Sequence, residues 1–222
     1  MSLRQSIEHT LLNATAKPSE VESLCQEVLN FGLCGACVNP LHVPLARAVL
    51  TTRAQIVSVV NFPLGAGSER SDCAEVAWLV EQGATEIDYV IPIGVALSGA
   101  LDSVTQRVRA VREQCPVVLK VILETSAFEE AQLFDVAQAV MQANPDYLKT
   151  STGFGARGAS VEDVRILRRA ANGRAAIKAS GGIRSYAQAR ELLDAGATRL
   201  GTSRGVNLLQ EEQRAAQAAA EQ

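Results

Sequence analysis

The sequence predicts an α/β fold closed as a TIM (β/α)8 barrel, in a single domain over residues 1–222. Three observations predict it. Apolar runs of strand character alternate with amphipathic helical stretches from end to end, and strict alternation means a parallel sheet. Eight such runs fit between residues 7 and 203, which leaves little room for insertions. Eight is also the strand number that closes this barrel. Charged residues, Asp88 and Lys149 among them, stand inside the runs, where several strands would converge on one mouth. An open doubly wound sheet is the alternative that alternation alone leaves.

The elements follow in order. IEHTLL (7–12) is a short first strand. Ser19 offers an N-cap to the helix EVESLCQEVL, and Gly32 ends it. GACVN (35–39) and IVSVVNF (56–62) are the second and third strands, made of small and β-branched residues. Gly83 ends the next helical stretch, and EIDYVI (86–91) follows with Asp88 at its centre. VVLKVIL (117–123) and YLKTS (147–151) each hold one lysine. Ser160 caps VEDVRILRRA, in which Val161, Val164, Ile166 and Leu167 make an apolar stripe while the arginines face water. Gly173 ends that helix. AAIKAS (175–180) and RLGTS (199–203) complete the eight, with Gly196 closing the helix between them. From about residue 210 the chain reads as a polar, alanine-rich helix, QEEQRAAQAAAEQ, expected to fray. No linker, repeat or low-complexity segment divides the chain.

Composition excludes several functions. Hydrophobic residues make up 47 % of 222, too many for a disordered chain. The net charge is −3 and no run of Lys and Arg appears, so no nucleic-acid partner is expected. No apolar stretch reaches the ~20 residues that cross a bilayer. The start MSLRQSIEHT lacks the apolar core of a signal peptide, which points to the cytoplasm. Five cysteines without an export signal argue against a disulfide framework. Cys34-Gly-Ala-Cys37 has redox spacing, but Cys37 enters the strand-like ACVN instead of opening a helix, so small buried residues are expected there. His9 and His42 are the only histidines and carry no ligand spacing, so no metal and no cofactor is expected.

Three lysines carry the chemistry. Lys120, Lys149 and Lys178 are 29 residues apart, each inside a strand candidate. That interval is the pitch of a strand–helix unit, so the three fall on neighbouring strands. A buried ammonium must leave water or lose its charge. An ordinary lysine, with pKa about 10.4, is neutral in roughly one molecule per thousand near pH 7. An amine held in apolar surroundings beside a second cation is a good nucleophile toward a carbonyl, which points to Schiff-base catalysis. Spacing alone does not choose between Lys149 and Lys178. A structural salt bridge to Asp88 or Glu124 is the alternative role for any one of them. Asp88 is a candidate to shuttle protons or balance the lysine charges. Glu8 is a weaker candidate, because the first strand is short and an exposed Glu is ordinary.

The glycine-rich loops supply candidate binding residues. Gly153-Phe-Gly155-Ala-Arg-Gly158 matches G-x-G-x-x-G after a strand, the context of a dinucleotide fingerprint. That fingerprint wants an acid on the following strand, and AAIKAS offers Lys178 instead. Ser180-Gly181-Gly182-Ile183-Arg184 and Gly201-Thr202-Ser203 follow the seventh and eighth strands, where barrels often place a phosphate site. Glycine lets backbone N–H groups approach an anion, and Arg184 and Ser203 add donors. A sugar phosphate is the expected ligand. A nicotinamide-dependent oxidoreductase using the Gly153 loop and a non-catalytic phosphosugar binder are the rival readings.

LKTSTGFG, KASGGIR, LGTSRGV, EIDYVIPIG, VILET and VVNFPLGA together resemble the 2-deoxyribose-5-phosphate aldolase family, class I aldolases on a TIM barrel. The resemblance runs from about Ile7 to about Leu209. It implies cleavage of 2-deoxy-D-ribose 5-phosphate to D-glyceraldehyde 3-phosphate and acetaldehyde, and the reverse addition. It implies that Lys149 forms the Schiff base, that Lys178 lowers its pKa, that Asp88 relays protons and that Lys120 lies near the substrate hydroxyls. It places the phosphate at Gly181, Gly182 and Ser203, with Glu8, Thr150, Gly153, Arg184 and Gly201 as further candidate contacts. A homodimer or other homo-oligomer is expected. The chain departs from the family in three places: Glu8 stands for the usual Asp, Phe154 stands where some members have a phosphate-reaching lysine, and the end, Gln222, lacks the tyrosine with which some members close the site. Another lysine aldolase on the same barrel is the nearest alternative.

Overall fold

The computed structural model describes residues 2–220; Met1, Glu221 and Gln222, the last standing where some relatives of the family end in a tyrosine, lie outside the described residues. A short turn of helix, α1 (Leu3–Ser6), precedes the barrel. The elements then run β1 (Ile7–Leu11), α2 (Pro18–Phe31), β2 (Gly35–Val38), α3 (Val43–Leu50), β3 (Gln55–Val60), α4 (Glu69–Glu81) and β4 (Glu86–Val90). They continue α5 (Ile93–Leu97), α6 (Leu101–Gln114), β5 (Val118–Ile122), α7 (Glu130–Met141), β6 (Tyr147–Lys149), α8 (Val161–Ala171) and β7 (Ala176–Ser180). The last are α9 (Tyr186–Asp194), β8 (Arg199–Thr202) and α10 (Gly205–Ala220). The eight strands pair in sequence order, all parallel, and β1 pairs with β8 to close the barrel.

Both faces of each strand are buried, as a helix-covered barrel requires. The outward residues, such as Ile56, Ile87, Leu119, Val121, Leu148 and Ile177, join the helix faces in one continuous core. A second, small cluster of Leu12, Cys37, Val57 and Val59, with Phe62 against it, lies on the inner side. The remaining inner positions around the wall are largely ionic.

Two sequence expectations need correction. The cap of α2 is Lys17, not Ser19: Pro18 takes the first helical position, where its fixed φ suits the turn and its missing N–H costs nothing. Glu20 then reaches back to the Lys17 N–H at 2.8 Å. The C-terminal helix begins at Gly205, not near residue 210, because Leu208 and Leu209 are buried against the barrel and anchor its first turns. Strands β3 and β6 also stop short of their sequence bounds, at Val60 and Lys149, while two cap signals hold as read. Ser160 caps α8 through the Asp163 N–H at 3.0 Å, and Gly32 ends α2 with φ +63°.

Candidate active site

Register brings the lysines together. Asp88 on β4 is the Cα partner of Lys120 on β5, and Lys149 on β6 is the partner of Lys178 on β7. All four point inward. Asp88, Lys120 and Lys178 have no exposed surface and Lys149 is 2 % exposed. Asp88 is the hub. Lys149 Nζ and Lys178 Nζ both donate to its Oδ2, each at 2.6 Å, and Lys120 Nζ donates to Oδ1 at 3.0 Å.

Below that hub, toward the closed end, lies a second tier. Glu8 is fully buried, which corrects the expectation of an ordinary exposed Glu: β1 turns it inward, and His9 faces out to Glu27 at 2.7 Å. Glu8 accepts a hydrogen bond from Lys178 and sits 3.4 Å from Lys120 Nζ and 3.1 Å from Arg199 Nη1. Glu86, two residues before Asp88 on the same strand face, lies 2.5 Å from Lys120 Nζ and 3.6 Å from Arg199 Nη1. Neither Glu86 nor Arg199 was singled out from sequence. The available signal was strand alternation, which puts Glu86 on the face of Asp88 and Arg199 on the face of Gly201.

These contacts set the charges. For Lys149, burial is the largest influence, and with the Lys178 cation it pulls the amine below its ordinary value despite Asp88. Burial also works against the Lys178 ammonium, but Asp88 and Glu8 overcome it and raise that group. Lys120 is raised for the same reason, by Asp88, Glu8 and Glu86 against burial. Burial would raise the Asp88 carboxyl; the three lysines outweigh it and hold Asp88 well below the usual carboxylate range. One amine is thus biased toward its neutral, nucleophilic form beside two held as cations.

Of the four, only Lys149 reaches the open mouth. It lines a cavity of about 330 Å³ with Gly153, Phe154, the Ser180–Arg184 loop and the Gly201–Arg204 loop. Gly181, Gly182, Arg184, Gly201 and Ser203 therefore share one cavity with the lysine. Lys120 does not line it; its amine is enclosed by three carboxylates deeper in the barrel. Thr150 is also outside it: its hydroxyl donates to Ser180 O at 3.2 Å and accepts from Ser180 N at 3.1 Å, stitching β6 to β7. A larger hollow of 870 Å³ lies outside against α8 and α9, lined by Arg165, Arg168 and Arg169, and reaches none of these lysines.

The loops owe their shape to close backbone contact. A Cβ on Gly158 would lie 2.0 Å from Gly181 O, so the G-x-G-x-x-G segment is a packing device that presses one loop on the other. Glu124, at the end of β5, pairs with no lysine. It accepts from Thr152 N at 3.2 Å and from the Thr152 hydroxyl, holding the loop that carries Gly153. Phe154 is 56 % exposed and packs edge-on against Phe62, ring centroids 5.4 Å apart. Burial pushes both Cys34 and Cys37 thiols up to about 11, and neither is bonded to another cysteine. A low-pKa redox thiol would need the opposite shift. Among the described residues no group of His, Cys, Asp and Glu converges as a metal site, and no helix is long and apolar enough to cross a membrane.

Comparison with known proteins agrees with this architecture. The model of a family described as DeoC/LacD family aldolase matches residues 4–211. A deoxyribose-phosphate aldolase of Carboxydothermus hydrogenoformans is 44 % identical over 214 residues, covering 94 % of either chain. One from Thermus thermophilus is 47 % identical over 211 residues, covering 94 % of this chain and 96 % of the relative. Among solved structures, the tetrameric deoxyribose phosphate aldolase of Aeropyrum pernix superposes with a TM-score of 0.87 at 30 % identity, covering 95 % of this chain and 91 % of that one.

Proposed function

The chain belongs to the DeoC/LacD family of aldolases, and from that membership we propose that it cleaves 2-deoxy-D-ribose 5-phosphate reversibly to D-glyceraldehyde 3-phosphate and acetaldehyde, through a Schiff base on Lys149. The observation that carries the reading is the Lys149–Asp88–Lys178 constellation opening onto a glycine-lined cavity. Relatives at 44 and 47 % identity bear the name deoxyribose-phosphate aldolase, which favours this substrate over that of another lysine aldolase.

The steps follow from the charges. Neutral Lys149 Nζ attacks C1 of the open-chain aldehyde. Lys178, kept as an ammonium by Asp88 and Glu8, can donate a proton as the carbinolamine loses water. The resulting iminium is the electron sink. The C3 hydroxyl gives its proton to a base, the C2–C3 bond breaks, and glyceraldehyde 3-phosphate leaves while the bonding pair forms an enamine. Asp88 is the acceptor, through water, and holds that proton only briefly because the Lys120 and Lys178 ammonium groups beside it favour its ionised form. The enamine is then protonated at C2 and hydrolysed, releasing acetaldehyde and free Lys149. Phosphate held by the Gly181–Gly182 and Ser203 loops, at the start of α10 and ahead of the Ser185 cap of α9, would fix the reacting end.

One metal-independent catalytic domain, placed in the cytoplasm, belongs to the same proposal. So does a homo-oligomeric state, supported by the tetrameric Aeropyrum pernix relative. The test is mass spectrometry after borohydride reduction with acetaldehyde. A reduced ethyl group should appear on Lys149, and Lys149→Leu should lose both label and turnover. A label found mainly on Lys178, or full activity in Lys149→Leu, would overturn the assignment.

A further inference from the structure

The inner wall holds more charges than the chemistry just described uses. Set Lys149 aside, and the buried cluster contains three acids, Glu8, Glu86 and Asp88, against three bases, Lys120, Lys178 and Arg199. The six form one connected chain. Asp88 joins Lys178 and Lys120, Lys120 joins Glu86 and Glu8, and Arg199 closes onto Glu8 at 3.1 Å and Glu86 at 3.6 Å. With Lys149 neutral the cluster has no net charge. A protonated Lys149, 2 % exposed at the floor of the cavity, is then the one unmatched charge of the cluster, and an unmatched charge so deeply buried is disfavoured.

We propose that Glu86 and Arg199, at the closed end of the barrel and out of reach of substrate, are positioning residues that set the protonation state of Lys149 by balancing the charge of this buried chain. The inference rests on Lys149 being the nucleophile. Glu86 is placed to act by charge: its Oε2 lies 2.5 Å from Lys120 Nζ yet accepts no well-directed hydrogen bond, and although burial and Glu8 lift its carboxyl above the ordinary value, Lys120 and Arg199 favour its charged form. Arg199 bridges the two glutamates, and Glu8 and Glu86 hold its guanidinium above its ordinary value against burial.

Every strand of the barrel faces Lys149. β1 gives Glu8, β4 gives Glu86 and Asp88, β5 gives Lys120, β7 gives Lys178 and β8 gives Arg199. β2 contributes Cys37, and Cys34 just before it lies 2.6 Å from Arg199 Nη1; burial pushes both thiols up to about 11 and so keeps them uncharged. β3 presents no ionisable inner side chain, only Val57 and Val59. β6 adds the Tyr147 hydroxyl, 3.4 Å from Arg199 Nη2. At the rim, Arg184 and Arg204 line the cavity and are exposed, and Glu124 is bonded to Thr152.

The sign of the effect separates charge balance from structural support. Glu86→Gln leaves one extra positive charge, so Lys149 should lose its proton more easily and the acid limb of the pH–rate profile should move down. Arg199→Met leaves one extra negative charge, and the limb should move up. A single charge about 10 Å away at an effective dielectric of about 20 shifts it by roughly one pH unit. The paired variant Glu86→Gln/Arg199→Met and the charge-keeping Arg199→Lys should return the wild-type limb.

The experiment measures kcat/KM for 2-deoxyribose 5-phosphate from pH 5 to 10, with acetaldehyde trapping by cyanoborohydride mapped by mass spectrometry and folding followed by circular dichroism. Opposite shifts in the two single variants, with recovery in the pair, support the inference. If the single variants fail to fold and the pair folds with the wild-type limb, charge balance is supported as well. Shifts in the same direction, no shift, or failure of all three variants to fold would overturn it in favour of a structural role. If the label lies on Lys149 and the limbs do not move, this inference falls alone; if it lies elsewhere, the assignment of Lys149 falls and takes the inference with it.

Discussion

Removing the Lys178 cation should be far more damaging at neutral than at alkaline pH. Both lysine nitrogens lie 2.6 Å from the same oxygen, Asp88 Oδ2, so they are within about 5 Å of each other. At an effective dielectric of about 20, two unit charges at that distance repel by roughly 3 kcal/mol, about two pH units. Lys178→Met deletes that repulsion and leaves Asp88 and Glu8 with one cation fewer, and both changes favour the Lys149 ammonium. The sign is therefore fixed. The Lys149 amine, held low in the wild type, should rise, and Schiff-base formation, which needs the neutral amine, should shift its acid limb up by about two units. On the acid side of the wild-type limb the neutral fraction falls on the order of a hundredfold. Trapping acetaldehyde with cyanoborohydride from pH 6 to 10, with rates read by intact mass, isolates this step from later proton transfers. Trapping should recover at alkaline pH, whereas full turnover should recover only in part, because Lys178 is also the assigned proton donor. An acid limb that stays in place or moves down would show that the two amines are not coupled as described.

Asp88→Asn leaves three buried lysines without their hub and should cost about 3–5 kcal/mol of stability, read as a lowered midpoint in urea; a midpoint equal to wild type would mean that the lysines discharge or find other partners. Ser203→Asp puts a negative charge beside the proposed anion site and should raise KM for 2-deoxyribose 5-phosphate roughly tenfold or more with little effect on unphosphorylated 2-deoxyribose, an equal loss on both arguing for a site elsewhere. This variant is cleaner than Gly182→Val, because Gly182 has φ +74° and any side chain there strains the backbone. Gly158→Ala, whose Cβ would meet Gly181 O at 2.0 Å, should destabilise the barrel by about 1–3 kcal/mol and weaken phosphate-dependent binding; an unchanged melting temperature would show that the two loops separate freely. Prolonged dialysis against a strong chelator should leave the rate intact, and activity restored only by a divalent ion would move the chemistry to metal-dependent cleavage.

The fold was legible because two periodicities alternate without interruption. Strand runs of five to seven residues and helices with one apolar stripe leave few arrangements, and the observed order β1 to β8 is the simplest. Boundaries were less legible for local reasons. Pro18 displaced the cap that Ser19 offered, and the anchoring of Leu208 and Leu209 extended α10 back to Gly205. The decoy glycine motif became intelligible only with Gly181 in place, since its function is contact between two loops that lie far apart in the chain.

The site was legible where a charge interrupts an apolar run and illegible where it begins one. Lys120 sits between Leu119 and Val121, Lys149 follows Leu148 and Lys178 follows Ile177, so their burial could be argued from composition alone. Glu8, Glu86 and Arg199 open or nearly open their strands, where an ionisable residue is usually solvated. In a sheet with one wet face, alternation would have told which side each took. Here both faces are dry, one against helices and one inside the barrel, so alternation fixes which residues share a face but not which face is ionic. Closure of β1 onto β8 decides it, because only then does Glu8 meet Lys178 and Arg199 across the seam. The acids that hold the lysines are thus set by long-range pairing, while the lysines themselves are set locally. Three candidate lysines could be read from their own strands; of the acids that balance them, Glu8 comes from the opposite end of the chain.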